Sequence, residues 1–204
     1  NLKSLSVIGQ EITTTLDFEV IFDRIYGYVN SMMDANVFSV DIYHPDKEMV
    51  EYKFCLEKSE RLPVAFVPMT DSRSLSVWCI KHRDEIVIHD TEKEIQNFIP
   101  ELTNIEAIIG EVTSSIIYVP LKIKDQIIGA ISAQSFQKYA YTDYHLLILR
   151  TLASYTAIAL NNAKTYEQLT QAYHEIEIKT KQIEQSNISI TDSLHYARRI
   201  QEAI

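Results

Sequence analysis

Glycine and proline are scarce, four and five in a chain of 204 residues. So few breakers imply long regular elements. Cysteine is scarcer still: Cys55 and Cys79 are the whole complement. Two cysteines exclude a disulfide scaffold and suit a reducing, cytoplasmic setting. No apolar run approaches the roughly 18 residues that a membrane span needs. Basic blocks are missing too. Nineteen Lys and Arg stand against 28 Asp and Glu, a net charge of −9. Arg198-Arg199 is the only adjacent basic pair. Nothing here would neutralise a row of phosphates, so a nucleic-acid partner is not expected. What is plentiful is apolar side chain, 46% of the residues, enough for a real core and too much for a disordered chain. The chain starts at Asn1 without Met and stops within a helical pattern at Ile204. It is therefore expected to be a piece of a longer protein, with its output domain beyond Ile204.

The strongest pattern lies in the last third. One row of positions seven apart reads Tyr155, Asn162, Leu169, Ile176, Ile183, Ile190, Ala197, Ile204; its partner row reads Leu152, Ala159, Tyr166, Tyr173, Thr180, Asn187, Leu194, Gln201. Together these are the a and d positions of a coiled coil. They predict a parallel homodimer. Asn187 falls at an a position, where Asn sets register at the expense of stability; splayed helices with a solvated Asn187 are the competing reading. Thr180 and Gln201 weaken the seam further, as suits a coil that switches between packings.

Before the coil the period changes twice. Leu2, Leu5, Ile8, Ile12 and Leu16 are helically spaced, and Asp17 is placed to cap a second helix from Phe18 to Met33. Val37–Tyr43 and Met49–Leu56 read as a hairpin, Ala65–Met69 as a short extended piece, Ser74–His82 as a short helix, and Glu85–Ile88 as a strand. Residues 92–109 read as irregular, with short helices around Pro100. Ser115–Leu121 and Gln126–Ser135 are the clearest strands, joined at Lys124-Asp125, and Thr142 opens the long last helix. The expected class is α+β: a central antiparallel sheet of five or six strands, flanking helices and a long C-terminal coiled-coil helix.

Three stretches carry a family resemblance. They are Val119-Pro120-Leu121 through Gly129-Ala130-Ile131; Tyr141-Thr142-Asp143 with Leu146-Leu147, Leu152-Ala153 and Ala157–Ala163; and Ile8-Gly9 through Asp17. In this order they resemble the GAF domain, a PAS-like fold, over residues 1–165, leaving 166–204 as a coiled-coil signalling linker. The resemblance implies a bacterial regulatory sensor that binds a small molecule. Ile190–Ile204 is similar to the helix that precedes SpoIIE-like, PPM-type serine/threonine phosphatase domains. That implies a phosphatase output in cis and no catalysis by this chain itself.

GAF domains often line a cavity where Trp78, Cys79, His82 and His89 fall. With Tyr52, Phe66, Phe98 and Tyr118 these are the candidate pocket residues. Plain core packing competes for each. The candidate dimer contacts are Leu5, Ile8, Ile12, Tyr155, Asn162, Tyr166, Leu169, Tyr173, Ile176, Ile183, Asn187, Ile190 and Leu194. No cofactor or metal is required. Bilin-binding members generally use a Cys commonly followed by His, whereas Ile80 follows Cys79 and Leu56 follows Cys55. Cyclic-nucleotide members carry an NKFDE-like signature that is missing. Haem would need His82 or His89 as an axial ligand. Two cysteines do not match the several used by GAF-type methionine sulfoxide reductases. His174-Glu175 resembles a histidine-kinase phosphoacceptor box without its usual Pro. Two alternatives to the sensor therefore remain: a ligand-free dimerising spacer, and the input region of a histidine kinase.

Overall fold

A computed structural model describes residues 2–100, 107–108 and 110–202. Helix α1 (Leu2–Thr13) ends three residues short of Leu16. The reason is the run Thr13-Thr14-Thr15. Each hydroxyl turns back onto the carbonyl four residues earlier, at 2.8, 2.9 and 3.0 Å, and such β-branched residues favour leaving a helix. Leu16 is consequently exposed. Helix α2 (Phe18–Met32) starts where expected, with the Asp17 carboxylate accepting from the Glu19 and Val20 amides.

The sheet strands follow in the order β1 (Val37–His44), β2 (Met49–Glu57), β3 (Glu60–Arg61) and β4 (Ala65–Pro68). Helix α3 (Leu75–His82), capped by Ser74, leads to β5 (Ile86–Ile88) and the single turn α4 (Thr91–Glu94). Then come β6 (Ser115–Ile123), β7 (Gln126–Ser135) and the 60-residue helix α5 (Asp143–Glu202). The sheet order is β3-β2-β1-β7-β6-β5, with β4 also paired to β2, seven antiparallel strands in all. Six lie on the main path, as expected; β4 is the extended piece around Phe66. At the head of α5, His145 Nδ1 accepts the Thr142 amide at 3.2 Å, the role a Glu plays in a capping box.

The chain divides into two compact units, residues 1–163 and 164–204. In the first, the strand alternation feeds two cores. Phe38, Val40, Phe54, Leu56, Ile117, Val119, Leu121, Ile131 and Ala133 face α1, α2 and the start of α5. The opposite sheet face, with Val50, Tyr52, Ile116, Tyr118 and Ala130, is covered by α3 and the residues around Ile95 and Ile99. The sheet is therefore buried on both faces, which decides where the site lies. Gly129 is fixed by close approach: a Cβ there would stand 2.0 Å from the Asp41 carbonyl oxygen. Pro120 lies past the last β6 residue paired with β5, Tyr118, so its missing N–H interrupts no bond to that neighbour.

Two expected dimer contacts are corrected by this packing. Ile8 and Ile12 are 6% and 0% exposed, inside the chain's own core, because α1 lies against the domain. They are not available to a partner. Leu152 and Ala159, from the expected a row, are also in that core.

Candidate functional site

The face of the sheet under α3 is polar at its centre. On β1, Ser39 and Asp41 point to this side. So do Tyr52 and Cys55 on β2, Tyr118 on β6, and Ser132 and Gln134 on β7, as cross-strand pairing of Ser39 with Cys55 and Ser132, and of Asp41 with Tyr52 and Ala130, requires. Ser39 and Ser132 share a buried hydrogen bond of 2.9 Å. The Tyr52 hydroxyl meets Ser74 Oγ at 3.0 Å, and Ser74 Oγ in turn accepts the Val77 amide at 3.1 Å. One residue thus caps α3 and ties it to the sheet.

A cavity of about 100 Å³ opens above these groups. Ser39, Tyr52, Cys55, Tyr118 and Gln134 form its floor, and Leu75, Ile95, Ile99, Ala107, Ile108, Glu111, Val112 and Thr113 form its walls. Arg73, ion-paired with Asp71 at 2.9 Å, also lines it. A second, larger hollow of about 430 Å³ is walled by Trp78, His82 and Phe98. There the His82 ring stacks on Trp78 at 4.2 Å, and Phe98 meets Trp78 edge-on at 4.9 Å.

The eight expected pocket residues therefore do not converge. Tyr52 and Tyr118 reach the inner cavity. Trp78, His82 and Phe98 form the outer hollow. Cys79 is fully buried on the inner side of α3, His89 stacks on Tyr139 instead of entering either space, and Phe66 is 55% exposed on β4. Helical and strand geometry explain the split: Trp78 and His82 are i and i+4 on one stripe of α3, and Cys79 is on another.

Asp41 was not among the expected site residues and is the most unusual group here. It is 0% exposed, and among the described residues no cation is paired with its carboxyl, which has only the Ser76 and Ser39 hydroxyls beside it. Burial pushes its pKa from an ordinary 3.8 to about 7, a rise only tempered by the nearby Ser76 and Ser39 hydroxyls. Burial likewise pushes the Cys55 thiol up to about 12, and raises Cys79, Tyr52 and Tyr118, each with a further contribution from the Asp41 charge. The two thiols and two phenols are therefore neutral at physiological pH. Among the described residues, no group of three or more His, Cys, Asp or Glu is placed to hold a metal ion.

The remaining expected dimer contacts separate at Ala163. Tyr155 is half-buried, its ring occupying the space a Cβ on Gly9 would need at 2.5 Å. Asn162 is exposed and donates to the Thr13 carbonyl at 3.3 Å, closing α1 against α5. Beyond that, Tyr166, Leu169, Tyr173, Ile176, Ile183, Asn187, Ile190 and Leu194 are all exposed. The side chain of Leu5 lies outside the described residues.

The GAF domain family model matches residues 15–161, more than half of the chain. The chain belongs to the GAF domain family. GAF domains are regulatory sensor domains of signalling proteins, and solved structures agree on the fold. The GAF domain of an Acinetobacter phosphoenolpyruvate-protein phosphotransferase is 16% identical with a TM-score of 0.60, covering 80% of this chain and 94% of that one. Residues 122 to 287 of a methyl-accepting chemotaxis protein are 12% identical, TM-score 0.62, over 78% and 98%. The free methionine-R-sulfoxide reductase of Neisseria meningitidis, solved with its substrate, is 13% identical, TM-score 0.63, over 79% and 89%. At such identities the likeness concerns the fold alone. No curated protein matches the chain. No helix among the described residues is long and apolar enough to cross a membrane.

Proposed function

We propose that this GAF domain is the sensing and dimerising module of a bacterial, cytoplasmic signalling protein. Residues 1–165 bind a small molecule in the cavity over Ser39, Tyr52 and Tyr118. Residues 166–204 pair with a second copy as a parallel coiled coil. The coil relays the state of the domain to a serine/threonine phosphatase of the SpoIIE-like class carried in cis. The observation that carries this reading is the row of exposed apolar residues on α5, with Tyr173 at 66% and Leu194 at 65%. A single helix has no other way to cover such a row. The phosphatase output rests on the likeness of Ile190–Ile204 to the helix before such domains. Binding biases the relay only as far as the ligand prefers one coil packing over another.

Native mass spectrometry of the chain, followed by denaturation of the same sample, tests the reading. The expected spectrum is a dimer carrying extra mass that denaturation releases. A monomer overturns the coil; a dimer that carries no mass and binds nothing offered to it leaves only the spacer role.

The reductases among the similar folds raise a redox enzyme as a second reading. Burial favours the neutral thiol in both cysteines, and the thiolate is the reactive form. Cys55 and Cys79 are therefore expected to resist iodoacetamide in the folded chain at neutral pH and to react at the free-thiol rate in denaturant. Rapid labelling of either one in the folded chain would favour the enzyme.

A further inference from the structure

Beyond Ala163 helix α5 forms a unit of its own, and the positions flanking its apolar row carry few charges. With Asn187 at a and Ile183 at d, positions e and g border the seam on either side. Between Leu169 and Leu194 the g positions hold one charge, Lys179, and the e positions hold two, Glu177 and Glu184. Glu177 is engaged along its own helix, where Lys181 meets it at 2.7 Å one turn on. Among the described residues no ion pair holds Lys179 or Glu184, and both are exposed.

Three arrangements of two such helices differ in what these charges meet. A parallel, in-register pair sets each g position beside the e position five residues further along the other helix. Lys179 then meets Glu184 of the second copy, and does so twice per dimer. Slipping one helix by a heptad puts one Lys179 beside Glu177 and the other beside Thr191, so one charge pair is lost. The same slip moves Asn187 from its own counterpart to Leu194, where its amide is buried without a partner. Reversing one helix over the same span sets e beside e and g beside g. Glu177 then faces Glu184, and Lys179 faces Lys179. Of the three, the parallel in-register pair alone has every flanking contact between opposite charges.

We propose that Lys179 and Glu184 select the partner of α5: a second copy of this chain, parallel and in register, bordered by two Lys179–Glu184 pairs, with Asn187 facing Asn187 across the seam. This rests on the coil reading above and names the residues that fix its orientation and register.

Exchanging the charges tests it. Lys179→Glu and Glu184→Lys each turn two attractions into two repulsions, and the self-association of either variant, read by sedimentation, is expected to weaken about tenfold. Mixed in equal amounts, with one of them isotopically labelled, the two variants recover both attractions between unlike chains. Native mass spectrometry should then find the mixed dimer at about nine-tenths of all dimers, against about half by chance. Salt at about 1 M should return it toward the chance proportion. A mixture at chance proportions in low salt overturns the charge pair and leaves the coil standing. Tighter self-association of Glu184→Lys overturns it too, because that is the response of a reversed pair, in which this position faces Glu177. An unmodified chain that stays monomeric at every concentration brings down both readings.

Discussion

Asp41→Asn is expected to stabilise the chain by about 2–3 kcal/mol at about pH 8 and to destabilise it by about 1–2 kcal/mol at about pH 4. The folded carboxyl titrates at about 7 and the unfolded one at about its ordinary 3.8. Between those values the folded chain holds a proton that the unfolded chain has released. Stability therefore falls as pH rises through this window, and the full penalty is present above it. Three units at about 1.4 kcal/mol each set a ceiling of about 4 kcal/mol, of which an Asn amide left without partners returns about 1–2 kcal/mol. Urea unfolding of both forms across this range measures it. A variant that is less stable at every pH would show that Asp41 has a structural partner. A gain at high pH would mark a residue kept at the expense of stability, as functional groups often are.

Ile183→Asp is expected to convert the dimer to monomer, raising its dissociation constant at least roughly hundredfold, about 3 kcal/mol. Ile183 is 61% exposed on the single chain, so the change is tolerated by one helix, where propensity differences are only tenths of a kcal/mol. In a paired coil it places two facing charges in an apolar seam, where each loses water without gaining a partner. Sedimentation at matched concentrations reads the outcome. An undisturbed dimer removes the seam; a change in the melting of the sheet domain would mean Ile183 packs elsewhere.

The fold was legible because its signals are local. Asp17 before Phe18, Ser74 before α3, and the alternation in β6 and β7 each have short-range causes. The site was less so. Ser39 and Asp41 alternate with Phe38 and Val40 in β1, a pattern that reads as one dry and one wet face. It is a polar centre in a sheet covered on both sides, and alternation alone does not distinguish the two. Aromatic residues near Trp78 suggested a pocket, but i to i+4 geometry sent Trp78 and His82 outward and left Tyr52 and Tyr118 within. The seven-residue rows lie exposed on α5 from Tyr166 to Leu194, yet period does not say who covers a stripe. Above Ala163 the answer is the domain itself, as Leu152, Ala159 and Tyr155 show.

The rim of the sheet bears on assembly. Its outermost strands, β3 and β4 beside β2 and β5 beside β6, are two, four and three residues long. Strand edges are where unrelated chains add on and aggregates begin, and short ones give an intruder almost no ladder to join. Growth by strand addition is thereby discouraged at both ends. Under the proposed function, the exposed apolar row on α5, and not the sheet rim, is the surface by which copies meet.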